Sequence, residues 1–183
     1  MGDGIVVVGY DEAWVGWFRE IGGRLRQELG DLAVRIDHVG STAVHGLDAK
    51  PVIDVQVSVA ALEPVEAYRG AVERAGFVHR AENPERTKRY FRERPGDRRT
   101  HVHVRRAGSF SEQFNLLFRE YLRAHPQHAR EYGELKRRLA KEFPGPDQRS
   151  QYVDAKGPFI WRTIQLADEW AQSIGWEPPR SDC

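Results

Sequence analysis

At 183 residues, with 28 Lys plus Arg against 27 Asp plus Glu, the chain suits one domain with an ordinary core. It has no broad excess of positive charge to argue for nucleic acid. Its only cysteine is Cys183, which excludes a disulfide framework and a cysteine zinc site and fits a reducing compartment.

The first residues have no basic start and only a four-residue apolar run. They read as neither a signal peptide nor a membrane span, so a cytoplasmic protein is expected. "GIVVVGY" reads as a short strand or extended lead-in. Asp11 then caps a helix with Trp14, Phe18, Ile21 and Leu25 at helical spacing, weakened in the middle by Gly22 and Gly23. Residues 33–39 are β-branched and alternating, hence a strand. Residues 51–59 form the next, with Ile53, Val55 and Val57 on one face and Asp54, Gln56 and Ser58 on the other. Residues 62–75 read as a helix closed by Gly76. Three strands are expected at 76–80, 87–93 and 100–105, the last two joined by the turn "ERPGDRR".

From Ser109 the pattern turns helical. Phe114, Leu117, Phe118, Tyr121 and Leu122 make one stripe, and Pro126 starts a second helix carrying Tyr132, Leu135 and Leu139. "FPGPDQ" breaks it. A third helix is expected over about 150–174 with Phe159, Ile160, Ile164, Leu166 and Trp170 inward. Trp176 and "EPPRSDC" read as a loosely held terminus. The expected fold is α+β: one unit over 1–183, with a mixed sheet in about 1–106 and helices in about 109–176 folded back on it. The five tryptophans suit a core, an interface or both. Local basic runs at 86–94 and 98–106 leave a basic patch open.

The chemistry gathers around two strands. Gly40-Ser41-Thr42 makes a small-residue turn. Gly lets a ligand approach the backbone, and Ser or Thr can cap a following helix whose N–H groups attract phosphate. The bland alternative is a cap that binds nothing. Asp54 interrupts an apolar strand where propensity disfavours it, so it faces solvent or a functional cleft. A carboxylate near phosphate can hold Mg²⁺ or Mn²⁺. Lys50 is either a phosphate contact or a solvated loop lysine. His101 and His103 share one face of "THVHV" and can bind a divalent metal or shuttle protons with Asp54, or be half-exposed strand histidines. His38 either reaches the cleft or is a satisfied core histidine. Arg89 either clamps an anion or belongs to a solvated edge strand. Lys156 either folds over the sheet to the same ligand or stays exposed.

These residues carry a resemblance. "HVGSTAVHGLDAKPVIDVQV" is similar to the signature of the GrpB family, small proteins of the nucleotidyltransferase-like superfamily. The similarity continues through "RYF", "THVHV", "LLFREYLRAHP", "YGELKRRLA" and "YVDAKGPFI", over nearly the whole chain. It implies a mixed sheet of nucleotidyltransferase type with helices on it, a helical tail and a cytoplasmic bacterial protein. GrpB-like domains also occur appended to dephospho-CoA kinases. The superfamily pattern is a Gly-Ser turn, two carboxylates one residue apart and a third on a later strand, together holding two metals that act on a nucleotide's α-phosphate. Gly40, Ser41 and Asp54 match it. Gln56 stands at the second carboxylate, and His101 and His103 stand where a third would be, so a two-Mg²⁺ site looks incomplete.

Three classes of function follow. One is a metal-assisted transferase on a nucleotide or other phosphate-bearing small molecule, with Asp54 on the metal and His103 as general acid/base. In it Gly40, Ser41, Thr42, Lys50, Gln56, Arg89 and Lys156 would hold the substrate. The second is a binding or accessory module without transfer. The third is a ligase-like or acyl-transfer enzyme using the cleft for an acidic or CoA-derived substrate.

Overall fold

The computed structural model describes residues 4–183. The first three residues of the expected unit, and of its leader-free start, lie outside them. The expected lead-in strand is extended chain with a single bridge, Val8 to Ala49. Helix α1 (Ala13–Leu29) follows, with the Asp11 carboxylate accepting from the Ala13 N–H at 2.9 Å.

Strands β1 (Arg35–Val39), β2 (Ile53–Val59), β3 (Phe77–His79), β4 (Arg89–Glu93) and β5 (Thr100–Arg106) form one sheet in the order β1-β2-β5-β4-β3. β2 and β5 are parallel neighbours and every other pair is antiparallel. Helix α2 (Glu66–Arg74) makes the crossover, and Gly76 closes it at φ +103.

The alternation of β2 creates two different faces. Ile53, Val55 and Val57 join Val102, Val104 and Phe91 on one face, all fully buried. There they meet Phe18, Ile21 and Leu25 of α1 and Tyr68 and Val72 of α2. Asp54, Gln56 and Ser58 look the other way. Helix α3 (Phe110–Ala124) covers part of that polar face, and Gln56 bonds to it.

Helices α4 (Pro126–Glu142), α5 (Arg149–Ala155) and α6 (Gly157–Ile174) complete the chain. The single helix expected over 150–174 is two. Pro158 has no N–H to bond back one turn, so the chain breaks at Lys156 and restarts with Pro in the first turn of α6. The buried line of α6 is Phe159, Thr163 and Ala167; Ile160, Ile164 and Trp170 pack half-buried against the same cluster as expected, while Leu166 is exposed. The buried side of α3 likewise includes Leu116 and Arg119, with Leu117 and Phe118 only partly covered. This helix is packed on two sides, by the sheet and by α6, so one stripe does not describe it.

The segment after α6 is not loose. Ser181 Oγ accepts from the Ile36 N–H at 2.8 Å, the Cys183 N–H donates to Ile36 O at 3.1 Å, and Asp182 Oδ2 accepts from the His38 N–H at 2.9 Å. It therefore occupies the free edge of β1, which would otherwise expose unpaired backbone. The basic runs are answered by acid in part: Arg89 pairs with Glu63, Arg92 with Glu93, and Lys88 and Arg105 with Glu85. Among the described residues no helix is long and apolar enough to cross a membrane.

Candidate functional site

The polar face of the sheet is uncovered at one end, where β2 begins. Asp54 stands there opposite Val39 of β1 and His101 of β5. His101 and His103 are two residues apart on one strand and so share its face. Asp54 Oδ1 accepts from His101 Nδ1 at 3.1 Å and from His103 Nε2 at 3.0 Å, with each ring in the tautomer that carries hydrogen on that nitrogen. Burial opposes the charge on Asp54, but the two imidazole bonds outweigh it and hold the carboxyl below the usual carboxylate range. Burial pushes His103 down against the pull of Asp54, so this ring is neutral at pH 7. Tyr90 of β4 stacks on His103 with centroids 5.4 Å apart and meets His101 edge-on at 5.6 Å, which fixes both rings.

The turn at Gly40 closes over this carboxylate. Gly40 has φ +72 and ψ −172, a region that side chains do not tolerate. A Cβ there would stand 2.9 Å from Asp54 Oδ2 and 3.2 Å from Asp54 Cβ. The glycine admits the protein's own aspartate to the backbone, where the sequence suggested a ligand. No helix follows the turn. Ser41–Ala43 is one 3-10 turn with no side-chain cap, so a helix dipole does not operate here.

Positive charge comes from lysines instead. A cavity of about 290 Å³ is lined by Gly40, Ser41, Thr42, Lys50, Asp54 and His101 on the sheet side. Lys136, Arg149, Tyr152 and Lys156 wall it on the helix side. The ammonium groups of Lys50 and Lys156 lie 5.2 and 4.8 Å from the centroid of the Tyr152 ring. Lys136, 3% exposed, donates to Asp48 O and lies 4.5 Å from the Tyr132 centroid. Burial, with Arg149 and Lys156 nearby, pushes Lys50 down to about 8. Burial, with Lys156 nearby, pushes Lys136 to about 7. Lys156 is lowered for the same reason, with Asp54 opposing. Cations crowded and desolvated in this way favour an anion among them.

Seven of the residues singled out from sequence therefore meet at one cavity: Gly40, Ser41, Thr42, Lys50, Asp54, His101 and Lys156. His103 stands behind them, reaching the site through Asp54. Two of the expected contacts are placed otherwise. Gln56 is fully buried, donating to Glu112 O at 3.3 Å and accepting from Asn115 Nδ2 at 2.8 Å, so its amide fastens α3. Arg89 shares a sheet face with Phe91, away from Asp54, and donates to Glu63. The Thr42 hydroxyl is buried and donates to Val52 O at 3.3 Å, which leaves the backbone of this residue for the cavity.

Lys136, Arg149, Tyr132 and Tyr152 were missed. Lys136 had a signal: it follows Tyr132 by four residues and precedes Leu139 by three, so a lysine sat within an apolar stripe. Arg149 and Tyr152 had none, because only the break at Pro158 sets α5 apart. Two larger hollows, about 460 Å³ along residues 79–90 and about 850 Å³ between α3 and α6, lack such convergence. In the first, Lys88 pairs with Glu85 and Arg89 is held by Glu63; the second is lined by Phe110, Phe114, Leu117, Trp161 and Ile164.

The comparisons with known proteins bear on this frame. The family model described as GrpB protein matches residues 4–166. The chain belongs to the GrpB family. The GrpB crystal structure from Enterococcus faecalis is 36% identical, with a TM-score of 0.79 over 90% of this chain and 99% of that one. The UPF0157 protein YqkA of Bacillus subtilis is 34% identical over 166 residues, 91% of this chain and 48% of that protein. A protein named dephospho-CoA kinase from Mycobacterium leprae is 31% identical over 194 aligned residues, 91% of this chain and 47% of that protein. The chain thus spans about half the length of these curated relatives.

His38 of this GrpB-family chain is a core histidine. It is 3% exposed, lies parallel to Phe18 with centroids 4.7 Å apart, and its Nε2 is 2.9 Å from Thr42 Oγ1. With the Thr42 hydrogen given to Val52 O, the His38 Nε2–H donates to Thr42. Burial pushes this ring down to about 4, against the pull of Asp182 and Asp54. Unfolded, it takes a proton near pH 6.5. Between these values the unfolded state binds the extra proton, so stability falls as pH falls from 6.5 toward 4. We expect His38→Gln to lose part of that acid slope. Urea midpoints at pH 7 and 5 should show the parent losing roughly 1–3 kcal/mol more than the variant.

Proposed function

We propose that this chain binds a phosphate-bearing small molecule, with a nucleotide as the first candidate, and acts on it as a metal-assisted transferase in the cytoplasm. The observation that carries the reading is a single cavity in which Lys50, Lys136, Lys156 and Arg149 face one carboxylate, Asp54, and the Gly40-Ser41 turn. Four cationic side chains against one anionic group suit a multiply charged oxyanion, with Lys as point charges and Arg as a fork. Asp54 with its histidines is the place for a divalent cation, which would polarise a phosphoryl oxygen when bound. His103, neutral and tied to Asp54, is the candidate to hold or release a proton.

The test is calorimetric titration with ATP, pyrophosphate and dephospho-CoA. The last is included because relatives bearing that name share this stretch. Binding of at least one, weakened about tenfold or more by Lys50→Ala and by Lys156→Ala, supports the reading. Anion binding should also raise the depressed lysines and take up protons. Affinity for ATP is therefore expected to weaken severalfold from pH 7.5 to 9.0. Absence of binding by all three ligands would refute the anion cleft.

A second reading, binding without transfer, is favoured by Gln56, which stands where the superfamily places a carboxylate and is committed to α3. Labelled nucleotide that binds but is never transferred or hydrolysed, with any divalent ion, would decide for it.

A further inference from the structure

We infer that Asp54, His101 and His103 form a site for one borderline-soft transition ion, Zn²⁺ or Co²⁺ before Mn²⁺, and that it discriminates against Mg²⁺. The two-metal arrangement of the superfamily does not fit the residues present. It needs several carboxylates, and among the described residues Asp54 is the one carboxylate of this sheet face not claimed by an arginine. Gln56 is tied to α3, and Asp37, its neighbour on β1, is fully buried with both oxygens held by Arg35 at 2.6 and 2.8 Å. On the far side of the histidines, β4 presents Tyr90 and Arg92, which are not ligands for a hard cation.

What does fit is a compact N,N,O set. One ligand atom from each of the three residues lies within 4.8 Å of the others. The two nitrogens that touch Asp54 Oδ1 do so at 3.1 and 3.0 Å. Two donor atoms each about 2.1 Å from one ion at the tetrahedral angle lie about 3.4 Å from each other. The two nitrogen–oxygen spacings are a few tenths of an ångström short of that, so the ion needs the ring hydrogens to move and the three side chains to turn slightly about it. Those hydrogens have somewhere to go: His101 Nε2 and His103 Nδ1 are buried and unpartnered. A purely structural pair of histidines would more often satisfy both nitrogens.

Charge and ligand type point the same way. Mg²⁺ demands oxygen ligands and keeps its waters, whereas imidazole suits Zn²⁺, Co²⁺ and their neighbours. One carboxylate beside Lys50, Lys136, Lys156 and Arg149 is a poor purely electrostatic trap for a hard dication. Nitrogen donors supply what charge does not, and an anion in the cavity would complete the sphere.

This inference uses the anion-cleft reading only for what the ion faces, so metal binding is measured with no phosphate present. Protein stripped with a chelator is titrated calorimetrically with ZnCl₂, CoCl₂, MnCl₂ and MgCl₂ in turn. The expected result is one equivalent per chain, with Zn²⁺ and Co²⁺ at least 100-fold tighter than Mg²⁺ and visible absorption bands from bound Co²⁺. His101→Ala and His103→Ala should each weaken Zn²⁺ at least tenfold. Asp54→Asn, nearly isosteric, serves should either fail to fold. His128→Ala, in the Tyr121-bonded ring pair at the start of α4, should leave affinity unchanged. Mg²⁺ within tenfold of Zn²⁺, two equivalents abolished by Asp54→Asn, no binding of any ion, or Zn²⁺ indifferent to His101 and His103 would each overturn it. ATP binding that persists without metal would leave the anion cleft standing alone.

Discussion

Arg119→Ala is expected to cost about 3 kcal/mol or more in unfolding free energy, with a melting point lower by roughly 5–15 °C. Arg119 is 1% exposed yet charged. Its Nη1 donates to His38 O at 2.7 Å and to Asp182 Oδ2 at 2.6 Å, and its Nε donates to Glu120 Oε1 at 2.8 Å. One guanidinium thereby joins α3, the end of β1 and the segment after α6. Truncation leaves the His38 carbonyl without this donor, leaves Asp182 without its cation and Glu120 with Arg123 alone, and opens a hole of several methylenes. The carboxylates retain some solvent, at 27% and 21% side-chain exposure, which places the cost toward the lower end for a broken buried pair. Arg119→Met refills the volume and separates the charge loss from the cavity. Asp182→Asn tests the strap alone, through faster proteolysis of residues 176–183. A melting point for Arg119→Ala within about 2 °C of the parent would show that these contacts carry no net weight.

The sequence disclosed the sheet well because its signal is periodicity. Ile53, Val55 and Val57 alternate with Asp54, Gln56 and Ser58, and burying one set forces the other to the opposite side. That rule also put His101 and His103 on one face of their strand, but their meeting with Asp54 depends on the parallel pairing of β2 with β5, which alternation alone does not encode. It failed where burial is on both sides. α3 lies between the sheet and α6, so its charged Glu112 and Arg119 are buried and the apolar stripe misleads. Lys136 hid for a related reason: a lone lysine on an apolar face normally snorkels to water, and here it stays under Tyr132 to reach Asp48 O. The break at Pro158 was visible as a Gly-Pro pair but was overridden by the helical run around it. Gln56 and Arg89 show the limit of reading a site by family position or strand membership. Their side chains are claimed by α3 and by Glu63, and no local pattern encodes those partners.

The second large effect belongs to Gly40. Gly40→Ala is expected to destabilise the fold by about 1–3 kcal/mol through the backbone alone, because φ +72 with ψ −172 is a region occupied almost only by glycine. The new methyl would also lie 2.9, 3.2 and 3.3 Å from Asp54 Oδ2, Cβ and Cγ. Relief requires Asp54 to leave, since Val39 and His101 pair with it through the backbone on either side and the strand itself cannot shift. Such crowding costs about 1–3 kcal/mol more. Displacing the carboxylate also breaks both of its histidine bonds, so Gly40→Ala should lose metal affinity nearly as fully as Asp54→Asn while leaving every ligand atom in the chain. Gly46→Ala is the control: its φ is +74, but no atom lies within 4 Å of the added carbon. It should show backbone strain without the binding defect. Calorimetric metal titration and urea melts on the two variants separate strain from displacement. Equal binding by Gly40→Ala and the parent would mean that Asp54 does not need the space this glycine leaves it.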